Sequence, residues 1–126
     1  MQLSHERPDY AWVVRGADGR HVRVNDRVLD RSFALAPDRL IEDWDAPATP
    51  ASMEPAHLQA LLSGQPELVV LGTGSRQVFP PAAVMAACLI RGIGIEVMDN
   101  AAAARTYNVL AGEGRRVVVA FLLDAA

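Results

Sequence analysis

The chain contains no lysine: all twelve of its basic residues are arginine. That removes Schiff-base catalysis and the phosphate-cradling lysine of P-loop enzymes. Cysteine is nearly absent as well. Cys88 alone excludes an internal disulfide and a cysteine-rich metal site, and it suits a reducing compartment. No apolar run approaches a membrane span. The longest, Ala82–Ile90 and Val117–Leu123, reach about half of one or less and read as buried elements of a globular core.

What is present has ordinary globular composition. The 126 residues suffice for one domain, read as spanning 1–126 with its core between about residues 11 and 123. With 51% hydrophobic and 21% charged residues, wholesale disorder is excluded. A net charge of −3 offers no electrostatic footprint for nucleic acid or an anionic membrane, so neither is an expected partner. The opening segment, Met1–Tyr10, carries charges where a signal peptide needs an apolar stretch, and a cytoplasmic location is the expectation.

The first third reads as short antiparallel strands. Ala11–Arg15 and His21–Val24 flank Gly16-Ala17-Asp18-Gly19, where Asp-Gly is expected to supply the positive φ of a hairpin turn. Ser32–Leu35 and Leu40–Trp44 are two further strand candidates. After the loop Asp45–Ser52 the period changes. Glu54–Leu62 reads as a helix, Leu68–Leu71 as a strand buried on both faces, and a helix opened by Pro80 or Pro81 runs to about Ile90. Ile93–Met98 is the next strand, Asp99 caps a third helix stopped by Gly112 or Gly114, and Arg116–Leu123 is the last strand. This order predicts an α/β fold with an antiparallel N-terminal strand extension. Residues 67–71, 93–98 and 116–123 are expected to form the centre of one sheet.

The Gly-rich turn Leu71–Arg76 lies where open α/β sheets bind ligands, and its amides with Arg76 offer an anion site. A tight turn needing positive φ explains the same residues and is the favoured reading, because the pattern is neither a dinucleotide nor a Walker fingerprint. Glu96, on an otherwise apolar strand, needs a partner, and Arg105 is the natural one. Two readings of the polar residues follow. Gly72, Thr73, Gly74, Arg76, Glu96, Arg105, Tyr107 and Asn108 line a shallow depression at one end of the sheet, or Glu96 and Arg105 form an ion pair locking strand to helix.

Catalytic constellations fail. Ser75 is in no G-x-S-x-G elbow, and His5, His21 and His57 lie on three different elements without metal-ligand spacing. Cys88, inside an apolar helix, reads as a buried small hydrophobe. Asp38, Glu42, Asp43 and Asp45 around Trp44 read as a solvated strand and loop. No catalytic residue, metal ligand or cofactor is assigned. Two classes stay open: an interaction or assembly protein with an unidentified protein partner, and a small anionic-ligand binder or enzyme using the Gly72–Arg76 turn and the Arg105 region.

One resemblance narrows this. Leu71-Gly72-Thr73-Gly74, Pro80, Gly92-Ile93-Gly94-Ile95-Glu96-Val97-Met98 and Ala104-Arg105-Thr106-Tyr107-Asn108-Val109-Leu110, in this order and spacing, resemble a family of small uncharacterised proteins. That family includes the mitochondrial complex I (NADH:ubiquinone oxidoreductase) assembly factor 3. The resemblance covers roughly Val13 to Leu123 and implies a three-layer α/β fold with a central mixed β-sheet flanked by helices. For the mitochondrial relatives it implies a role in assembling a respiratory complex through protein partners, and for bacterial members no established activity, cofactor or catalytic residue. Ala104 stands where many relatives carry Cys, which argues against a thiol-based role for this helix.

Overall fold

A computed structural model describes residues 10–124; His5 and the opening segment before Tyr10 lie outside the described residues. Short segments between tight turns, each burying one or two apolar side chains, make β1 (Val14–Ala17), β2 (Val22–Val24) and β3 (Arg27–Leu29), an antiparallel three-stranded sheet in that order. The β1–β2 turn is not built on positive φ, which neither Asp18 nor Gly19 has. Instead the Asp18 carboxylate accepts the N–H groups of Arg20 and His21, both at 2.8 Å, and a side chain braces the turn. The same two bonds hold that carboxyl below its usual range. Left-handed backbone falls one turn later, at Asn25 with φ 51°, where a short amide side chain tolerates it.

The remaining elements are β4 (Phe33–Ala36), β5 (Arg39–Ile41), α1 (Gln59–Leu62), β6 (Leu68–Gly72), α2 (Ala82–Leu89), β7 (Gly94–Met98), α3 (Asn100–Gly112) and β8 (Val117–Phe121). Five strands form a mixed sheet in the order β5-β4-β8-β6-β7. β6 runs parallel to β7 and β8, while β4 is antiparallel to β8 and β5. Two expectations change. Part of the N-terminal antiparallel extension, β4 and β5, joins the central sheet, and β7 sits at its edge rather than its centre. The helix expected over Glu54–Leu62 is also broken, into a 3-10 turn at Pro55–Leu58 and the single turn of α1. At the break, the indole N–H of buried Trp44 donates to the His57 carbonyl at 2.9 Å, tying this turn to the core.

Strand alternation divides the apolar side chains between two cores that share the large sheet. Leu68, Val70, Val117, Val119 and Phe121 face α3 and the small sheet, whereas Val69, Leu71, Val118 and Ala120 face α1, α2 and Trp44. Because β6 and β8 are buried on both faces, their sequences are continuous apolar runs. The result is three layers: helix with small sheet, large sheet, and the two shorter helices. We propose that the shared strands make 1–126 one cooperative domain. Thermal unfolding followed by far-UV circular dichroism and by tryptophan fluorescence is then expected to give superimposable curves, and two separated midpoints would contradict it.

Candidate functional site

The turn after β6 is organised by Asn100, a fully buried amide at the start of α3. Its Oδ1 accepts the Gly74 N–H at 3.1 Å, and its Nδ2 donates to the carbonyls of Asp18 at 3.0 Å and Leu122 at 3.1 Å. One side chain thus joins the turn after β6, the β1–β2 turn and the end of β8. Gly72 lets it approach: a Cβ there would overlap Asn100 Oδ1 and lie 3.2 Å from both Ala103 and Phe121. Gly74 has φ +94°, so the turn's need for left-handed backbone is met at this glycine.

The same turn leaves little for an anion. Thr73 N–H donates to the Met98 carbonyl at 2.9 Å and Gly74 N–H to Asn100, so two of its amides are satisfied internally. The Thr73 hydroxyl donates to the Arg76 carbonyl at 2.6 Å and accepts Val78 N–H at 3.0 Å, closing the loop. Arg76 joins the turn through its carbonyl while its residue surface is exposed. The hollow beside Gly74 and Ser75, about 220 Å³, is lined by Asp18 and Asp99, the wrong sign for an anion.

Along α3, the buried face consists of Asn100, Ala103, Ala104, Tyr107 and Ala111. Asp99 caps this helix as expected, accepting Ala102 N–H at 2.8 Å. The Tyr107 hydroxyl donates to the Trp12 carbonyl at 2.7 Å, and its ring meets Tyr10 edge-on. Burial drives the Tyr107 phenol's pKa well above its ordinary value, with Tyr10 and Asp38 adding to the shift. Asn108 grips β1 like a neighbouring strand: Nδ2 donates to the Val14 carbonyl at 2.7 Å and Oδ1 accepts Val14 N–H at 3.1 Å. Tyr107 and Asn108 therefore fasten the small sheet to the helix.

Glu96 and Arg105 are not paired. Both are exposed, and no ion pair or hydrogen bond joins them among the described residues. Positions 103, 104 and 107 face the core, which turns Arg105 outward, while Glu96 lies on the edge strand β7. Nor do the turn and the helix motif converge on one depression. Gly74 meets the first residue of α3, and Asn108 lies eight residues further, about 12 Å along the axis. Arg105→Ala is accordingly expected to change stability by no more than about 0.5 kcal/mol in urea unfolding. A larger loss would show that Arg105 has a structural partner.

Two features escape the sequence reading. Asn100 sits at the head of an alanine-rich stretch, beside the Asp99 cap, where a polar residue of a first turn carries no local mark of burial. The other is the outer face of α2, expected to be core. Val84 and Cys88 are buried, and burial pushes the Cys88 thiol pKa up, but Phe79, Leu89 and Ile90 are 62%, 63% and 88% exposed. No charged residue interrupts Gln77–Ile90. A helix without a polar face gives no period to show which side is covered. Beside it, strand alternation turns the N–H and C=O of Ile95 and Val97 to the open edge of β7, and Gln77 Nε2 covers the Val97 carbonyl at 2.9 Å.

Among the described residues no helix is long and apolar enough to cross a membrane, and no group of three or more side chains is placed to hold a metal. The chain is 44% identical over 106 residues to the Homo sapiens NADH dehydrogenase (ubiquinone) 1 alpha subcomplex assembly factor 3, covering 83% of this chain and 57% of that one. It is 31% identical over 111 residues to the Danio rerio protein of the same name, covering 87% and 63%. It thus spans about three-fifths of the length of both assembly factors. A Francisella tularensis subsp. holarctica protein called 13 kDa major membrane protein is 30% identical over 79% of this chain and 80% of its own.

Among solved structures, a Xanthomonas campestris protein is 54% identical with a TM-score of 0.83, covering 98% of this chain and 92% of that one. A Bordetella pertussis protein described as a Mth938-like domain is 31% identical with a TM-score of 0.79, covering 99% and 94%. The three-layer architecture is therefore that of the Mth938-like domains. With the family's sequence pattern matched across residues 14–122, the chain belongs to the family described as Protein of unknown function (DUF498/DUF598).

Proposed function

We propose that this protein is a non-catalytic interaction module that helps to assemble a larger protein complex. The observation that carries this is its likeness, over more than four-fifths of its length, to two proteins named as NADH dehydrogenase assembly factors. The geometry supports the reading in a second way. The distinctive residues Gly72, Thr73, Gly74, Tyr107 and Asn108 are engaged inside the fold, whereas Leu89 and Ile90, adjacent at the C-terminal end of α2, are two of the five large apolar side chains left exposed, with Val28, Phe79 and Val109. A protein subunit with an apolar surface of its own is the partner that would cover Leu89 and Ile90. The lone, buried thiol at Cys88 fits a cytoplasmic site of action.

Affinity capture of the tagged protein from its source cells tests the reading. NADH dehydrogenase subunits are expected to co-purify with the wild type. They should be lost with a Leu89→Glu/Ile90→Glu variant whose melting temperature is unchanged, because both side chains already face solvent. Recovery of no such subunit above the untagged control would overturn the proposal.

A further inference from the structure

The end of the large sheet opposite the Gly72–Gly74 turn holds a cavity of about 520 Å³. It opens between the β4–β5 turn, the starts of β6 and β8, and the C-terminal end of α3. Small-molecule sites commonly measure roughly 300–1,000 Å³, with an apolar lining and a few placed polar groups. Buried Leu61, Pro66, Ala111 and Val117 give this cavity its apolar floor. Its rim is charged, with Arg39, Arg115 and Arg116 set against Asp38 and Glu113.

The arginines are anchored without being used up. Arg115 donates through Nε to Glu67 at 3.3 Å, and Arg116 through Nε to the Gln65 carbonyl at 3.3 Å. Glu67 also accepts the Arg116 N–H, at 3.1 Å, and these two contacts hold its carboxyl below the usual range. Among the described residues neither arginine makes a bond through its terminal nitrogens. A guanidinium fixed at Nε keeps both terminal groups, the fork that grips a carboxylate at two points. Arg39, on the opposite wall, donates to the Ser63 hydroxyl at 3.5 Å, its one side-chain bond among the described residues. At Gly114, on the lining, a Cβ would meet nothing within 4 Å among the described residues.

We propose that this cavity binds a small organic monocarboxylate, its anionic group on Arg115 and Arg116 and its apolar body on the floor. Asp38 and Glu113 set the class. Two carboxylates on the same rim repel a polyanion, which disfavours nucleotides and phosphate esters. Neither this end of the sheet nor the ligand enters the assembly reading, so the two stand or fall separately.

Chemical-shift titration of the isotope-labelled protein tests the site with hexanoate, hexanol and ADP as probes. Hexanoate is expected to shift the amides of Gly112, Gly114, Arg116 and Val118 saturably, with hexanol and ADP binding at least about tenfold more weakly. Arg116→Gln is expected to weaken hexanoate about tenfold while keeping the melting temperature. Arg39→Gln, on a different element, gives a second reading should that variant fail to fold. The proposal is overturned if hexanoate gives no saturable shift up to about 10 mM. It is equally overturned if the alcohol or ADP binds as well as hexanoate, or if the folded variants bind it undiminished.

Discussion

Replacing Asn100 by alanine is expected to remove about 4 kcal/mol of folding stability. The substitution strands the Gly74 N–H and the carbonyls of Asp18 and Leu122, all of which now meet the buried amide. Each buried polar group left without a partner costs about 1–3 kcal/mol, and water recovers part of this at the partly open Asp18 side. Asn100→Asp should do no better. Its carboxylate still accepts from Gly74, but it faces two carbonyl oxygens with no hydrogen to give. Urea unfolding is the measurement, with the midpoint falling and the slope unchanged. A loss below about 1 kcal/mol would mean that the three segments are not tied through this residue.

Tyr107 comes next. Tyr107→Ala empties a fully buried aromatic site between α3 and the small sheet, with an expected cost of about 4 kcal/mol. Tyr107→Phe keeps the ring and strands only the Trp12 carbonyl, with an expected cost of about 1–2 kcal/mol. The phenol also sets a pH limit. Its folded pKa is raised by burial, so its contribution is complete below the unfolded value of about 10. Above that pH the unfolded chain releases a proton that the folded chain keeps, and stability falls by up to about 1.4 kcal/mol per pH unit. Tyr10, raised in the same direction by partial burial, adds to the fall. Between pH 8 and pH 11 the wild type should therefore lose stability more steeply than Tyr107→Phe; parallel curves would contradict the assignment.

The elements most legible in the sequence were those whose pattern has a single physical reading. Continuous apolar runs can be strands only if both faces are covered, and β6 and β8 are the two strands buried throughout. Asp99 and the glycines around residue 112 bracketed α3 because caps are local chemistry. Order within the sheet was less legible. β7 is apolar enough to read as central, yet it is an edge strand that α2 and Gln77 cover only in part. Glu96 was the signal: an unpaired carboxylate belongs where water reaches it.

The site was legible as a set of residues but not as an arrangement. Thr106, Tyr107 and Asn108 stand side by side in sequence and diverge around the helix. Thr106 donates to the Met98 sulfur, Tyr107 to Trp12, and Asn108 brackets Val14. The partners of the last two lie more than ninety residues away, beyond any local pattern. Arg105, the most chemically suggestive of the group, is turned outward by the packing of its neighbours. The separation of the Gly-Thr-Gly turn from Asn108 follows from helix rise alone once Asn100 is placed at that turn.

The claim that the protein works by helping a complex to assemble is tested most directly in cells that lack it. Fully assembled NADH dehydrogenase is quantified there by native gel electrophoresis with an in-gel activity stain. The account predicts a depleted complex with accumulated subcomplexes. Wild-type protein and Arg105→Ala should restore it, and a folded Leu89→Glu/Ile90→Glu variant should not. A complex of normal size and amount in the deletion strain would contradict it.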